Sequence, residues 1–486
     1  MKRQLWKFPG GIHLPGFKAM SLSLPLARAD LPPRLLLPLR QHIGAPAEPV
    51  VAVGQRVRKG ELIAQAREYI SAPVHASSSG RVVGIGDYPV PHPSGLSAPC
   101  IEIETDGEDR WIDGADTVAE PDALSVDELR SRIRAAGIVG LGGAVFPSAV
   151  KLTPTPERPI DTLVLNGVEC EPYITCDDVL MRTRAADVLR GARILQRLVG
   201  AERCLIGVEA NKPEAATALR QAIADANAGA VEVVVVPTVF PAGGEKQLIK
   251  VVTGREVPRH GLPAQVGVVC LNVATAVAVV DAVVHSRPLI ERIVTVTGPG
   301  VRRPRNLIAR IGTPVAALVA QAGGYTVDSP RLIMGGPMMG IELAGDGLPV
   351  TKASNCVLVE TAAQAPPPAL PCIRCGSCAA ACPVRLLPQQ LYWYAQSAQF
   401  DKAQDYAVFD CIECGCCAHV CPSNIPLVSY FRFAKTELAA AERDRRKAER
   451  SRLRHELHQQ RLEREQAARA QRRKRPARTA APAGES

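Results

Sequence analysis

The chain has 486 residues, 47% of them hydrophobic, and a formal net charge of +10. That length predicts roughly three or four domains with sizeable cores, and the absence of a run of about 18 apolar residues excludes a helix that spans a bilayer. From Lys435 onward 16 Lys and Arg face 8 Asp and Glu, so a net +8 sits in the tail and only about +2 is left for the rest. The tail has no aromatic residue, which argues against a nucleic-acid partner.

In chain order, residues 1–30 read as an irregular arm rich in Pro and Gly. Its start has basic residues but no apolar h-region, so a secretory signal is not expected. Over 38–105 short β-type runs alternate with turns. The run Val51-Ala-Val-Gly54 to Ile63, then Ser71-Ala-Pro-Val74 to Val83, resembles a biotinyl/lipoyl-type barrel-sandwich domain. In that family a lysine at one hairpin tip carries a prosthetic arm. Here the tip reads Arg67-Glu68-Tyr69-Ile70, so the resemblance implies a scaffold or docking module with no lipoyl lysine.

From about 122 to 290 strands such as Leu163–Leu165 and Val231–Val236 alternate with helical patterns such as Asp127–Ala136 and Ala185–Leu198. This alternation predicts a parallel sheet covered on both faces. Residues 290–345 read as a small β-rich unit. Ala365-Pro-Pro-Pro368 predicts a stiff linker, and beyond Phe433 a Glu/Arg/Lys/Gln/Ala-rich pattern predicts a solvated helix fading into a disordered Arg-rich end. A contact of this tail with acidic lipid or an acidic partner is the alternative to a bland soluble tail.

Within the α/β region the run Gly137 to Lys151 holds Gly140, Gly142, Gly143, Phe146 and Lys151. Clustered glycines let backbone N–H groups approach a phosphate, and a lysine neutralises its charge. Beyond the strand at Leu165 come Asn166, Glu169 and Glu171, where open α/β sheets hold ligands; Glu245, Asn272 and Thr275 follow. Together these motifs resemble the flavin- and NADH-binding subunit of respiratory complex I. The resemblance implies FMN-side roles for Gly140, Gly142, Gly143, Lys151, Asn166, Glu169, Glu171, Glu245, Asn272 and Thr275, with Phe146 stacking on the nicotinamide. The chain departs from the family pattern at Leu141 (Arg), Val145 (Gly), Val168 (Asp), Lys246 (Glu) and Leu271 (Asn).

Two copies of C-x2-C-x2-C-x3-C-P follow: Cys372, Cys375, Cys378, Cys382-Pro383, and Cys411, Cys414, Cys417, Cys421-Pro422. This is the run of bacterial two-cluster ferredoxins, whose fourth cysteine reaches the other [4Fe–4S] cube. Three thiolates on a tight loop cap one cube, while the turn ended by proline faces away. The expected sets are Cys372, Cys375, Cys378 and Cys421, and Cys382, Cys411, Cys414 and Cys417. A pair of zinc sites is the alternative, but zinc knuckles rarely repeat four cysteines at these intervals. Cys416 breaks the spacing and reads as a bystander. Cluster thiolates must stay reduced, which points to the cytoplasm.

The full order resembles the RnfC family of the Rnf (Rsx) ion-translocating electron transport complexes. It implies a multidomain α/β and α+β protein with five parts. These are an N-terminal arm and barrel-sandwich domain (1–120), a Rossmann-like FMN/NADH domain (121–289), a β-grasp, SLBB-like unit (290–350), a two-[4Fe–4S] ferredoxin-like domain (366–433) and a charged helical/disordered tail (434–486). It further implies an NADH-dependent oxidoreductase subunit of translocase class, peripheral on the cytoplasmic face of the bacterial inner membrane. Its partners would be the other members of the complex, a ferredoxin-like one among them. Two rivals are a soluble diaphorase subunit of a hydrogenase or formate dehydrogenase, and a non-catalytic docking and relay subunit with a vestigial flavin pocket.

Overall fold

The computed structural model describes residues 4–115, 117–153, 158–364 and 367–474. The start of the expected linker, Ala365-Pro366, and the chain end beyond Lys474 lie outside them. Contacts divide the chain into two units, residues 1–385 with 412–426, and residues 386–411 with 427–486.

The first unit begins with an arm and a sandwich of two antiparallel sheets. One sheet orders Arg34–Pro38, Ser97–Thr105, Gly80–Pro89 and Arg56–Val57; the other orders Glu48–Pro49, Leu62–Gln65 and Val74–His75. Alternate residues point inward, so Leu35, Leu37, Ile63, Val82, Ile101 and Ile103 are fully buried. The hairpin tip expected to lack a lysine connects Leu62–Gln65 to Val74–His75, with Tyr69 60% exposed.

Four parallel strands form the next sheet in the order Val231–Val236, Arg203–Glu209, Thr162–Gly167, Val268–Asn272. Leu163, Leu165, Ile206 and Leu271 face one apolar core, while Val164, Leu205, Val234 and Cys270 face another. Both faces are covered, as the near-continuous Val/Ile/Leu runs require. The first strand lies between the second and the fourth in chain order, which makes a topological switch point between Thr162–Gly167 and Val268–Asn272. A crevice for a ligand opens there, beyond the carboxyl ends of the strands.

A six-stranded mixed sheet follows, with Glu291–Thr297, Arg305–Arg310, Arg331–Met334 and Ile341–Glu342. It also recruits Ala27–Arg28 from the arm and Cys356–Glu360, beyond the expected limit at 350. Two-residue edge pairing such as Ala27–Arg28 leaves no period-2 signal in sequence. A buried polar node joins this sheet to the arm: Thr175 Oγ1 is 2.7 Å from Ser21 Oγ, and Thr295 Oγ1 donates to Asn306 Oδ1 at 2.8 Å.

The second unit packs Pro388–Gln396, Phe400–Asp405 and the start of the helix Leu427–Lys474. Tyr392 meets Tyr430 edge-on at 4.8 Å between ring centroids, and Phe400 meets Phe433 at 5.5 Å. Leu391, Ala395, Phe431, Ala434 and Leu438 are buried. Beyond them the helix is solvated and carries i,i+4 ion pairs such as Arg446–Glu442, which water screens to little net stabilisation. Among the described residues no helix is long and apolar enough to cross a membrane. Removing residues 445–486 should therefore shift the thermal midpoint by less than about 2 °C; a scan of the truncated chain measures it.

Candidate functional site

The glycine loop is closed on itself by Gly140 N–H donating to Phe146 O at 2.9 Å, and by Ser148 N–H donating to Ile138 O at 3.0 Å. Its base is tied to the switch point: Leu141 N–H donates to Thr275 Oγ1 at 3.0 Å. Between these ties Gly142, Gly143 and Ala144 are exposed, and their amides have no acceptor among the described residues. A Cβ on Gly143 would meet nothing within 4 Å, and Gly143 has φ +108°. Consecutive open amides with a lysine nearby fit a phosphate. Lys151 is ion-paired with Glu245 in the first turn of Glu245–Thr253.

Val145, where the related pattern has glycine, keeps a glycine-like φ of +42°. A β-branched residue held there costs on the order of 1–3 kcal/mol. Its side chain packs against the main apolar core, whose burial offsets part of that cost.

Asn166 and Asn272 are register partners at the strand ends. Asn166 Nδ2 donates to Gly243 O at 2.8 Å, fixing the turn before Glu245. Asn272 caps the helix Val273–Val284 by accepting from Ala274 N–H at 2.8 Å, and donates to Asp177 Oδ2 at 2.7 Å. Gly142 packs over it, since a Cβ there would lie 3.2 Å from Asn272 Cβ. Gly140, Gly142, Gly143, Phe146, Lys151, Asn166, Glu245, Asn272 and Thr275 thus come from the loop, strand ends and helix starts that surround the switch point.

The two glutamates are placed differently. Glu169 accepts from Asp177 N–H at 2.7 Å and Asp178 N–H at 3.3 Å, capping the helix Cys176–Thr183. Glu171 accepts from Met338 N–H at 3.2 Å and Met339 N–H at 2.8 Å. Loss of hydration pushes both carboxyls up to about 7.

Four cations hold these loops, and nothing in the sequence pattern singled them out. Lys18 donates to Glu169 O, Glu171 O and Ile174 O at 2.7–3.0 Å. Lys212, fully buried, donates to Val168 O at 2.8 Å and Glu209 Oε2 at 3.2 Å. Lys352 is buried and reaches Pro73 O at 2.9 Å and Gly137 O at 2.8 Å; burial pushes its pKa down to about 7. Arg292 donates to Leu141 O at 3.3 Å. A lysine in an irregular arm carries no periodic signal, so only its partners reveal its role.

The cysteine loops repeat with an offset of 39 residues. Left-handed φ values recur at Arg374 and Glu413 (57° and 56°), Gly376 and Gly415 (79° and 81°), and Arg385 and Asn424 (56° and 51°). The short helices Ser377–Ala380 and Cys416–His419 follow in register. Arg374 N–H points at Cys372 Sγ, 3.4 Å away, the N–H···S contact of a thiolate ligand. Cys416 falls at the repeat position of Ser377, which lies 3.4 Å from Cys375 Sγ. It is fully buried, with Sγ 3.9 Å from Phe240 O, which supports its reading as a bystander. The donor set and the repeated backbone fit two iron–sulfur cubes.

A flavin-type phosphate loop at the switch point, joined to a two-cluster cysteine repeat, defines an electron-transfer protein. Residues 133–281 match the Nuo51 FMN-binding domain and 6–108 the RnfC barrel sandwich hybrid domain; 293–342 match the SLBB domain and 371–425 the 4Fe-4S dicluster domain. The chain is 50% identical over 468 residues to the C subunit of the ion-translocating oxidoreductase complex of Pseudomonas aeruginosa, covering 96% of this chain and 60% of that protein. It is 46% identical over 478 residues to the same subunit of Pectobacterium atrosepticum, covering 98% and 68%. The chain belongs to this RnfC family of ion-translocating oxidoreductase complexes, and it spans about 60% of the length of the Pseudomonas relative. A chain of an NAD+-reducing [NiFe]-hydrogenase overlaps 57% of this chain and 54% of its own length at 20% identity and TM-score 0.46, a likeness that bears on neither cofactor nor partner.

The raised carboxyl of Glu171 gives a pH signature. Between about pH 4.5 and 7 the folded state binds more proton there than the unfolded state, so this group makes stability fall as pH rises. Glu171→Gln keeps an acceptor for Met338 and Met339 and does not titrate. Its urea midpoint relative to the parent should move in its favour between about pH 5 and pH 8.

Proposed function

We propose that this chain is the electron-input subunit of a membrane-bound ion-translocating oxidoreductase, accepting electrons from NADH and relaying them singly to other subunits, a ferredoxin-like one among them. The observation that carries the reading is the joining, in one chain, of open backbone amides at a switch point to the repeated cysteine loops. The backbone N–H groups of Gly142, Gly143 and Ala144, with Lys151, would hold the FMN phosphate. Phe146, Asn166, Asn272 and Thr275 would shape the ring and nicotinamide side. Glu169 and Glu171 would act from behind, by fixing the loop after Gly167. Bound FMN supplies the change from a two-electron donor to one-electron acceptors.

Cys372, Cys375, Cys378 and Cys421 would ligate one cube, and Cys382, Cys411, Cys414 and Cys417 the other. All-thiolate ligation suits potentials on the order of −400 mV, which permits exchange with NADH and ferredoxin-type carriers. Partner contacts and tail charge would hold the chain to the cytoplasmic face of the inner membrane.

Anaerobically reconstituted protein should contain about eight iron atoms. Cys421→Ala should remove the electron paramagnetic resonance signal of the cube on Cys372, Cys375 and Cys378. Loss of the other signal alone would refute the crossed ligation.

Lys151→Ala should weaken FMN binding about ten-fold or more, measured by fluorescence quenching, because a charged hydrogen bond is worth roughly 1.5–3 kcal/mol. Val145→Gly should leave FMN affinity equal or tighter, since the backbone angle already suits glycine. If neither the parent nor Val145→Gly binds FMN, the chain is a relay subunit whose electrons arrive from another polypeptide.

A further inference from the structure

The two cysteine loops have nearly the same sequence, Cys-Ile-Arg-Cys-Gly-Ser-Cys at 372–378 and Cys-Ile-Glu-Cys-Gly-Cys-Cys at 411–417, and the same left-handed backbone. Their surroundings differ. In the second loop Gly415 presses against the body, where an added Cβ would lie 2.7 Å from Met338 O. Ile412 packs there with Phe240 and Met338, and Cys414 is only 7% exposed. Met338 in turn donates its N–H to Glu171, in the loop beyond the strand end at Gly167. In the first loop the equivalent Gly376 has nothing within 4 Å of an added Cβ. Ile373 is 68% exposed, Leu370 58% exposed, and Cys375 is exposed.

We propose that the open loop 371–376 is the electron-exit surface, and that it docks an acidic redox protein carrying its own iron–sulfur centre. The second loop already uses this surface, an isoleucine beside a glycine with no side chain in the way, to seat itself against Phe240 of the flavin-type domain and Met338 of the β-grasp unit. The first loop offers the same apolar knob and close backbone approach to solvent, and puts Arg374 where the second loop has Glu413. That charge favours an acidic partner and steers its approach. The cube of Cys372, Cys375, Cys378 and Cys421 is then the last in the relay. Held by those thiolates, the cube would supply one electron to the partner's oxidised centre, with no bond made or broken. The proposal rests on the relay function proposed for the chain and gives that relay a direction.

The test uses anaerobic holoprotein reduced by light and deazaflavin, so that no nicotinamide is needed. Stopped flow follows electron transfer to an acidic plant-type [2Fe–2S] ferredoxin and, separately, to neutral duroquinone. Ile373→Glu should slow ferredoxin reduction about ten-fold or more, as loss of a central apolar anchor does. Arg374→Glu should slow it in a manner that fades with salt. Ile373→Leu should behave as the parent, and iron content and the quinone rate should be unchanged in both Ile373 variants. Equal ferredoxin rates in parent, Ile373→Glu and Arg374→Glu would overturn the proposal, as would a parallel fall in the quinone rate. So would a parent dimer, seen by sedimentation, that Ile373→Glu dissolves, since the face would then belong to a second copy. A parent lacking the eight irons would instead overturn the relay function itself.

Discussion

The site depends on cations, buried or half-buried, that donate to backbone carbonyl oxygens. Lys18 and Lys212 strap the loop after the strand Thr162–Gly167, and Lys352 and Arg292 hold the base of the glycine loop from behind. A buried ammonium is tolerated only where its donors are satisfied. The carbonyls can supply that satisfaction only in one arrangement of the loops. Removing a strap would leave several carbonyls buried without a donor, each costing about 1–3 kcal/mol. Rigid loops of this kind suit a pocket whose work is to position a cofactor rather than to perform the chemistry itself.

The same cations tie separate segments together. Lys18 belongs to the arm, and Lys352 joins Pro73 of the sandwich to Gly137 of the flavin-type domain. Around them the sandwich and the α/β domain share one continuous apolar core. The barrel-sandwich domain, without a lipoyl lysine, thus acts as a buttress: Ile43 N–H donates to Val145 O at 3.3 Å, directly on the glycine loop. That contact helps explain how a β-branched residue is kept at a positive φ.

The cysteine repeat shows how two near-identical loops acquire different surroundings. Local sequence dictates their backbone, because the spacing of ligands and the glycine after the second cysteine leave one tight turn available. What each loop meets lies far away in sequence. Phe240, Met338 and Ile12 cover the second loop, and the first is left open.

The cysteine repeat, the glycine loop, the parallel sheet and the solvated helix were legible from sequence because each rests on local rules. Those rules are fixed ligand spacing, glycine backbone freedom, apolar runs bounded by turns, and charge without an apolar stripe. The added strands Ala27–Arg28 and Cys356–Glu360 were not legible, since an edge strand of two residues, or one lying past a long turn, is defined by its partner. Glu169 and Glu171 were visible as carboxylates beyond a strand, yet their tasks as a helix cap and a loop tie came from the amides that face them. Ile373 and Ile412 read alike in sequence and are opposites in space. The sequence by itself determined which groups can bind metal and phosphate, because that chemistry belongs to the residue types and their spacing. Only the tertiary structure decided which of those groups are buried, strapped or exposed, because burial depends on contacts between residues hundreds of positions apart.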